Sequence, residues 1–332
     1  MSFTEKRTEY RFELSLSVFF FIQVRTRSKL KWKPNAQTIA GRYGEGNQLN
    51  QLNYPYGIYV DHQQQHIYIA DSGNHRIVKR KLDGGSDHEE IVAGGNGWGN
   101  RTDQLSWPSD VIADEKKKSL IICDRGNRRV VQWSLENPNG EKEILIENIE
   151  CYGLMINENG DLFVCDWENH AVKRWRKSEI GKGGEGTIVA GGNGQGNQLN
   201  QLNCPTYMFI DREETIYVSD WGNDRVMKWL KGENEGIIVA GGNGEGKSLK
   251  QLNHPQGLVV NEVGDIYVAD YENNRIICWS LGSKEGRVVG GGNGRGKGSN
   301  ELNFPAGLSF DAENNLYVAD YGNQRIQRFR ID

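Results

Sequence analysis

Strand-length runs of β-branched and aromatic residues recur along this chain, and six of them end in an aspartate. They read Ile-Tyr-Ile-Ala-Asp71, Leu-Ile-Ile-Cys-Asp124, Leu-Phe-Val-Cys-Asp166, Ile-Tyr-Val-Ser-Asp220, Ile-Tyr-Val-Ala-Asp270 and Leu-Tyr-Val-Ala-Asp320, at intervals of 53, 42, 54, 50 and 50 residues. Three residues after each aspartate stands an asparagine: Asn74, Asn127, Asn169, Asn223, Asn273 and Asn323. Five residues after it stands an arginine in five copies (Arg76, Arg129, Arg225, Arg275, Arg325), with Ala171 in the third. Apolar runs of this length, bounded by Gly, Asn and Asp, predict strands and tight turns. Each unit holds four of them. Strand a follows Pro-x-Gly (Pro255-Gln256-Gly257), strand b ends at the aspartate, strand c starts at the arginine, and strand d reads like Gly236-Ile237-Ile238-Val239-Ala240. Four strands recurring at this spacing predict the blades of a propeller.

The two ends predict how the ring closes. The last unit stops after its third strand, Arg325-Ile326-Gln327-Arg328-Phe329, and a spare fourth-strand segment, Gln37-Thr38-Ile39-Ala40-Gly41, precedes the first unit. Pairing the two completes a sixth blade and removes an open sheet edge. The fold expected is all-β: six four-stranded antiparallel blades over residues 36–332, closed by the N-terminal strand.

The repeated unit resembles the NHL repeat, named for an Asn-His-Leu motif; the turns here read Asn74-His75-Arg76 and Asn127-Arg128-Arg129. The likeness covers about residues 36–332 and implies the six-bladed propeller independently. It implies little about activity. Propellers of that family occur in ubiquitin-ligase-like RNA or protein binders, in bacterial receptor domains and in a peptide-amidating lyase. No RING, B-box, coiled-coil or kinase pattern accompanies the repeats here.

Residues 1–35 read differently, as a basic and apolar leader with eight Lys/Arg against three Asp/Glu. The run from Leu14 to Ile22 follows Lys6, Arg7 and Arg11. It has the apolarity of a signal-peptide core, but Glu9 and Glu13 crowd it and no small-x-small cleavage site follows. It is too short for a spanning helix. Signal, anchor, extra strand and disordered leader all stay open, and a membrane contact is expected only if the segment is an anchor. Localisation is open too, with the cytoplasm slightly favoured. The whole chain carries -4, leaving -9 for the body. An acidic body argues against a phosphate-backbone partner, and the loops between blades are only marginally basic: Arg42, Arg101, Lys247, Lys250, Arg295 and Lys297 against Glu45, Asp103, Glu245 and Glu301. The five cysteines show no C-x-x-C, so neither a disulfide framework nor a zinc pattern is predicted; Cys123 and Cys165 read as small core residues.

Candidate chemistry then follows the repeat. Asp71, Asp124, Asp220, Asp270 and Asp320 with Arg76, Arg129, Arg225, Arg275 and Arg325 read as structural ion pairs, one per blade. Asp166 lacks that partner and points to His170 or Lys173 instead. The loops such as Gly191-Gly192-Asn193-Gly194-Gln195-Gly196 imitate a dinucleotide fingerprint, but they lead into another strand rather than a helix. Loops of this kind and the aspartate turns share one face of the predicted ring. The residue after each aspartate (Ser72, Arg125, Trp167, Trp221, Tyr271, Tyr321) is expected nearest the channel on that face. In the third unit the inter-blade loop shrinks to Glu147-Asn148-Ile149-Glu150, which predicts a notch bordered by Arg125, Arg128, Tyr152, Trp167 and His170. The ring at the start of strand a, Tyr56, Ser109, Tyr152, Thr206, Gln256 and Ala306, offers no carboxylate for a channel metal, and the six histidines do not repeat at one position. No cofactor, metal ligand or catalytic residue is assigned.

The reading is a monomeric, non-catalytic scaffold. It binds a protein or peptide through Arg125, Tyr152, Trp167, His170, Trp221, Tyr271 and Tyr321. A metal-dependent hydrolase or lyase in the channel is the alternative, and an RNA-binding propeller ranks last.

Overall fold

The computed structural model describes residues 31–61, 63, 65–82, 89–137 and 142–332. The leader's apolar run, His62 and His88 therefore lie outside the described residues. The described chain forms six sheets of four antiparallel strands. Their innermost strands are Pro55–Asp61, Asp110–Asp114, Cys151–Ile156, Pro205–Ile210, Pro255–Val260 and Pro305–Phe310. Each innermost strand touches its two neighbours, so the six close a ring around a central channel. We number the blades 1 to 6 in that order.

Closure runs as the sequence predicts. Gln37–Ala40 pairs antiparallel with Arg325–Phe329 as the outermost strand of blade 6. Arg328 Nη2 donates to Gln37 Oε1 at 2.7 Å, and Thr38 Oγ1 donates to Gln327 Oε1 at 3.0 Å. Residues just before that strand join the same body: Trp32 bridges to Ile331 and packs edge-on against Tyr267.

Apolar burial is distributed between blades rather than within one centre. Among the described residues, six hydrophobic clusters each join two neighbouring blades, such as Phe163, Met208 and Trp229 between blades 3 and 4. The glycine of Pro-x-Gly is what lets the innermost strands come together. A Cβ on Gly257 would strike the Ala306 carbonyl oxygen, and one on Gly307 would strike that of Tyr56.

The aspartate turns are stapled to the loops that join the blades. In blade 1, Asp71 accepts from the Asn53 N–H at 2.7 Å, from Asn74 Nδ2 at 2.8 Å and from Arg76 Nε at 2.6 Å. The guanidinium's other nitrogens donate to the carbonyls of Asn47, Gln48 and Gln51 at 2.8, 2.8 and 3.0 Å, all in the loop before strand a. Arg129, Arg225, Arg275 and Arg325 repeat this on Asp124, Asp220, Asp270 and Asp320. Blade 3 has neither the long loop nor the arginine. There Lys173 Nζ holds Asp166 at 2.9 Å, alongside Asn169 at 2.8 Å. The arginine and the loop it binds are thus present or absent together.

A second clasp ties each blade to the next. The fourth residue after the aspartate takes the left-handed conformation: His75, Arg128, His170, Asp224, Asn274 and Gln324 have φ between 51° and 60°. In five cases its side chain accepts a backbone N–H from the following blade. His75 Nδ1 takes Trp107, His170 Nδ1 takes Cys204, Asp224 takes His254, Asn274 takes Phe304 and Gln324 takes Tyr54. Arg128, which cannot accept, is the exception.

Two of the cysteines are paired, contrary to the expectation from sequence. Cys123, on strand b of blade 2, forms a disulfide with Cys151, which opens strand a of blade 3, with Cα atoms 5.8 Å apart. The two lie 28 residues apart in sequence but face each other across a blade interface, a proximity only the ring creates. Cys165 is a free, buried core residue. Loop closure of this length is worth about 3.6 kcal/mol in the chain-entropy account. The Cys123→Ser, Cys151→Ser double variant should therefore melt well below the wild type, and a reductant should lower the wild type toward it. A reductant-insensitive melting point would show that the bond contributes nothing.

Candidate functional site: an aromatic face over a plugged channel

The residues that follow the aspartates gather around the channel mouth, with Ser72 buried and the others half-buried. They do so because the turn after strand b ends at the innermost part of each blade. Between them and the axis lies Tyr56. Its hydroxyl bonds to the Tyr152 hydroxyl at 3.1 Å and donates to Gln256 Oε1 at 3.0 Å. Its ring stacks on Tyr207 at 6.1 Å and meets Tyr321 edge-on at 5.5 Å. One side chain from blade 1 thus touches blades 3, 4, 5 and 6, which places it across the axis. Tyr207 crosses beneath it and donates to the Ser109 carbonyl of blade 2 at 3.0 Å. Burial raises the pKa of both phenols well above the usual value, so this plug is neutral.

Around the plug the rings form a nearly continuous surface. Tyr152 stacks on Trp167 at 4.8 Å, Trp167 meets Trp221 at 5.2 Å, and Trp221 lies 4.0 Å from His254. On the other side Tyr271 stacks on Phe304 at 4.8 Å, and Tyr321 sits 5.0 Å from Tyr54. Arg125 lies over the Tyr152 ring, 4.4 Å from its centroid, and is held by Glu150 at 3.3 Å. Arg128 joins Glu168 and Glu150.

Sequence reasoning placed some residues closer to solvent than they are. Tyr152 is buried beneath Arg125 and Trp167, and His170 spends Nδ1 on the inter-blade clasp. The shortened connection of blade 3 does leave a cavity, about 660 Å³, but it lies along the rim. Its walls include Glu147, Ile149, Asn169, Lys173 and Trp175 rather than the expected Arg125, Tyr152 and Trp167.

Three exposed aromatics on the inter-blade loops of the same face were missed: Trp98 (70% exposed), Tyr43 (61%) and Trp107 (47%). A signal existed for Trp98, which stands where the other Gly-Gly-Asn-Gly-x-Gly loops carry Gln195, Glu245 and Arg295. A second omission lies in the channel. The third position of Pro-x-Gly is glycine in blades 1, 3, 5 and 6, but Asp110 in blade 2 and Tyr207 in blade 4. The channel therefore contains a carboxylate one residue beyond the ring that lacks one. Among the described residues no group of three or more His, Cys, Asp or Glu is arranged to hold a metal ion.

The NHL repeat model matches residues 52–79, 252–279 and 302–329. No curated protein matches the chain in sequence. Among solved structures, the chain is similar to an auxiliary nutrient binding protein from Bacteroides thetaiotaomicron, at 17% identity and TM-score 0.70, over 91% of this chain and 77% of that one. It is similar to a gluconolactonase from Xanthomonas campestris at 12% identity and TM-score 0.62, covering 90% and 89%. It is also similar to virginiamycin B lyase from Staphylococcus aureus at 13% identity and TM-score 0.54, covering 86% and 98%. At these identities the likeness is one of fold.

Proposed function

The chain is an NHL-repeat, six-bladed β-propeller, and from that architecture we propose that its loop-rich face is a non-catalytic docking surface for a protein or peptide. The observation that carries this reading is the belt of contacting rings from Tyr152 through Trp167 and Trp221 to His254. Aromatic and arginine side chains dominate interface energetics when they are fixed in advance. Here Trp167, Trp221, Tyr271 and Tyr321 supply apolar area, and Arg125 supplies a cation already oriented by Glu150 and the Tyr152 ring. Tyr152 and His170 serve this surface from below, as support. Trp98 and Trp107 extend it outward along the loops. Arg125 and Arg128, the cations beside this belt, are paired to Glu150 and Glu168, which favours a protein or peptide over a nucleic-acid backbone.

A displayed random-peptide library panned against the whole protein tests this. Enriched peptides are expected to bind the Trp167→Ala, Trp221→Ala double variant at least about tenfold more weakly while that variant keeps its sheet spectrum. Peptides that bind the double variant as tightly as the wild type would sink the proposal, as would a library that yields none.

A further inference from the structure

Beneath the tyrosine plug the channel widens into a well of about 530 Å³ that opens on the opposite face, between the turns joining strands a and b. All six innermost strands line it, and its wall is apolar: Ile58, Ile112, Met155, Met208, Leu258 and Leu308 contribute one side chain from each blade. At its inner end stands Asp110, only 5% exposed. Among the described lining residues there is no Lys, Arg or His, and Asp311, near the opening, turns its carboxylate to Asn315 and Tyr317.

Asp110 is not required by the architecture. Four of the six blades build the same position from glycine. Its carboxylate occupies the space that Gly57 of the neighbouring blade leaves open, where a Cβ would collide with Oδ1. Oδ2 accepts the Leu154 N–H at 2.8 Å, but among the described residues no cationic side chain pairs with it. A buried carboxylate without a cation is expensive, unlike the arginine-stapled aspartates of the turns. Such a group in a cavity marks a binding function more readily than a structural one.

We propose that the well binds a small organic ammonium ion, with its N–H groups on Asp110 and its apolar body against Met155, Met208 and Leu258. The chemistry selects this class. An anion would meet the Asp110 carboxylate and, among the described lining residues, no cation. Hard divalent metals need six or more oxygen ligands, which a single carboxylate in an apolar wall does not supply. A neutral apolar molecule would leave the ionised form of Asp110 uncompensated. An ammonium satisfies both the wall and the charge.

The test is calorimetric titration of the whole protein at mildly alkaline pH with n-hexylammonium chloride, 1-hexanol of equal length, and calcium chloride alone. Saturable one-to-one binding of the ammonium is expected. The alcohol should bind about tenfold more weakly, the difference between a charge-assisted and a neutral hydrogen bond, and calcium should not bind. Asp110→Asn keeps an acceptor for Leu154 and should lose the preference for the amine. Equal affinity for amine and alcohol, an undiminished preference in Asp110→Asn, or tight calcium binding would each overturn the proposal. Met208→Trp, which fills the well and leaves Asp110 in place, should abolish ammonium binding; retained binding there would overturn it too, even if the asparagine variant failed to fold.

Discussion

Replacing Arg275 with alanine should cost about 3–5 kcal/mol of stability, the range measured when one partner of a buried ion pair is removed. Asp270 is fully buried and Arg275 nearly so, at 2.6 Å. Burial raises the carboxyl's pKa above its usual value, and the charge of Arg275 is the largest influence opposing that rise. Without the guanidinium Asp270 must take up a proton or sit charged in an apolar site. The loss does not end there, because Arg275 also donates to the carbonyls of Lys247, Ser248 and Gln251 at 2.8, 3.0 and 3.1 Å. Those carbonyls belong to the loop that carries Leu252 into the core. Arg275→Lys keeps the charge but not the planar fork, so it should recover only part of the loss. Thermal melting of the two variants, with hydrogen exchange over residues 242–254, is the measurement. A melting point for Arg275→Ala within about 1 kcal/mol of wild type would show that the staple is ornamental.

That staple is also where the sequence was most legible. Asp, Asn and Arg recur at fixed offsets because each blade solves the same local problem, and the third blade marks its exception twice, in Ala171 and in the four-residue connection. Local problems leave local patterns. Other features stayed hidden because they depend on which blade faces which. Cys123 and Cys151 meet only across an interface, and Tyr56 reaches Tyr152, Gln256 and Tyr321 only because the ring is closed. Asp110 stands in the sequence as a departure from Pro-x-Gly that the repeat pattern did not single out. Its burial became apparent only with Gly57 of the adjacent strand beside it.

The two ends of the channel consequently differ in kind. The plugged end is broad, aromatic and shaped by loops, which suits a partner larger than the channel. The open end is walled by the innermost strands, with the Asp110 carboxylate at its inner end. Tyr56 and Tyr207 lie between them. Variants on one face should therefore leave binding at the other unchanged, so failure of the peptide reading and failure of the ammonium reading can be told apart.

Asp110→Asn should stabilise the protein increasingly as pH rises. Burial pushes the Asp110 carboxyl from 3.8 up to about 8 in the folded protein, with the N–H groups of Leu154 and Val111 pulling the other way. Between those values the folded chain holds a proton that the unfolded chain has released, so wild-type stability falls as pH rises through the window and the full cost stands above it. One unit is worth about 1.4 kcal/mol, which sets a ceiling of roughly 5–6 kcal/mol; relaxation and water entering the well reduce the expected value to about 3 kcal/mol. The neighbouring Tyr207 and Cys165 do not titrate in this window, because burial raises both well above their usual values. Asparagine never bears the charge. The difference in stability between variant and wild type should therefore be small near about pH 4 and reach its maximum above about pH 8, read from denaturant melts at both ends of the range. A difference that does not change with pH would mean that the carboxyl titrates normally and that water already reaches it. Saturating hexylammonium gives the complementary result: by neutralising Asp110 in the folded state alone, it should raise wild-type stability at high pH and leave Asp110→Asn where it was.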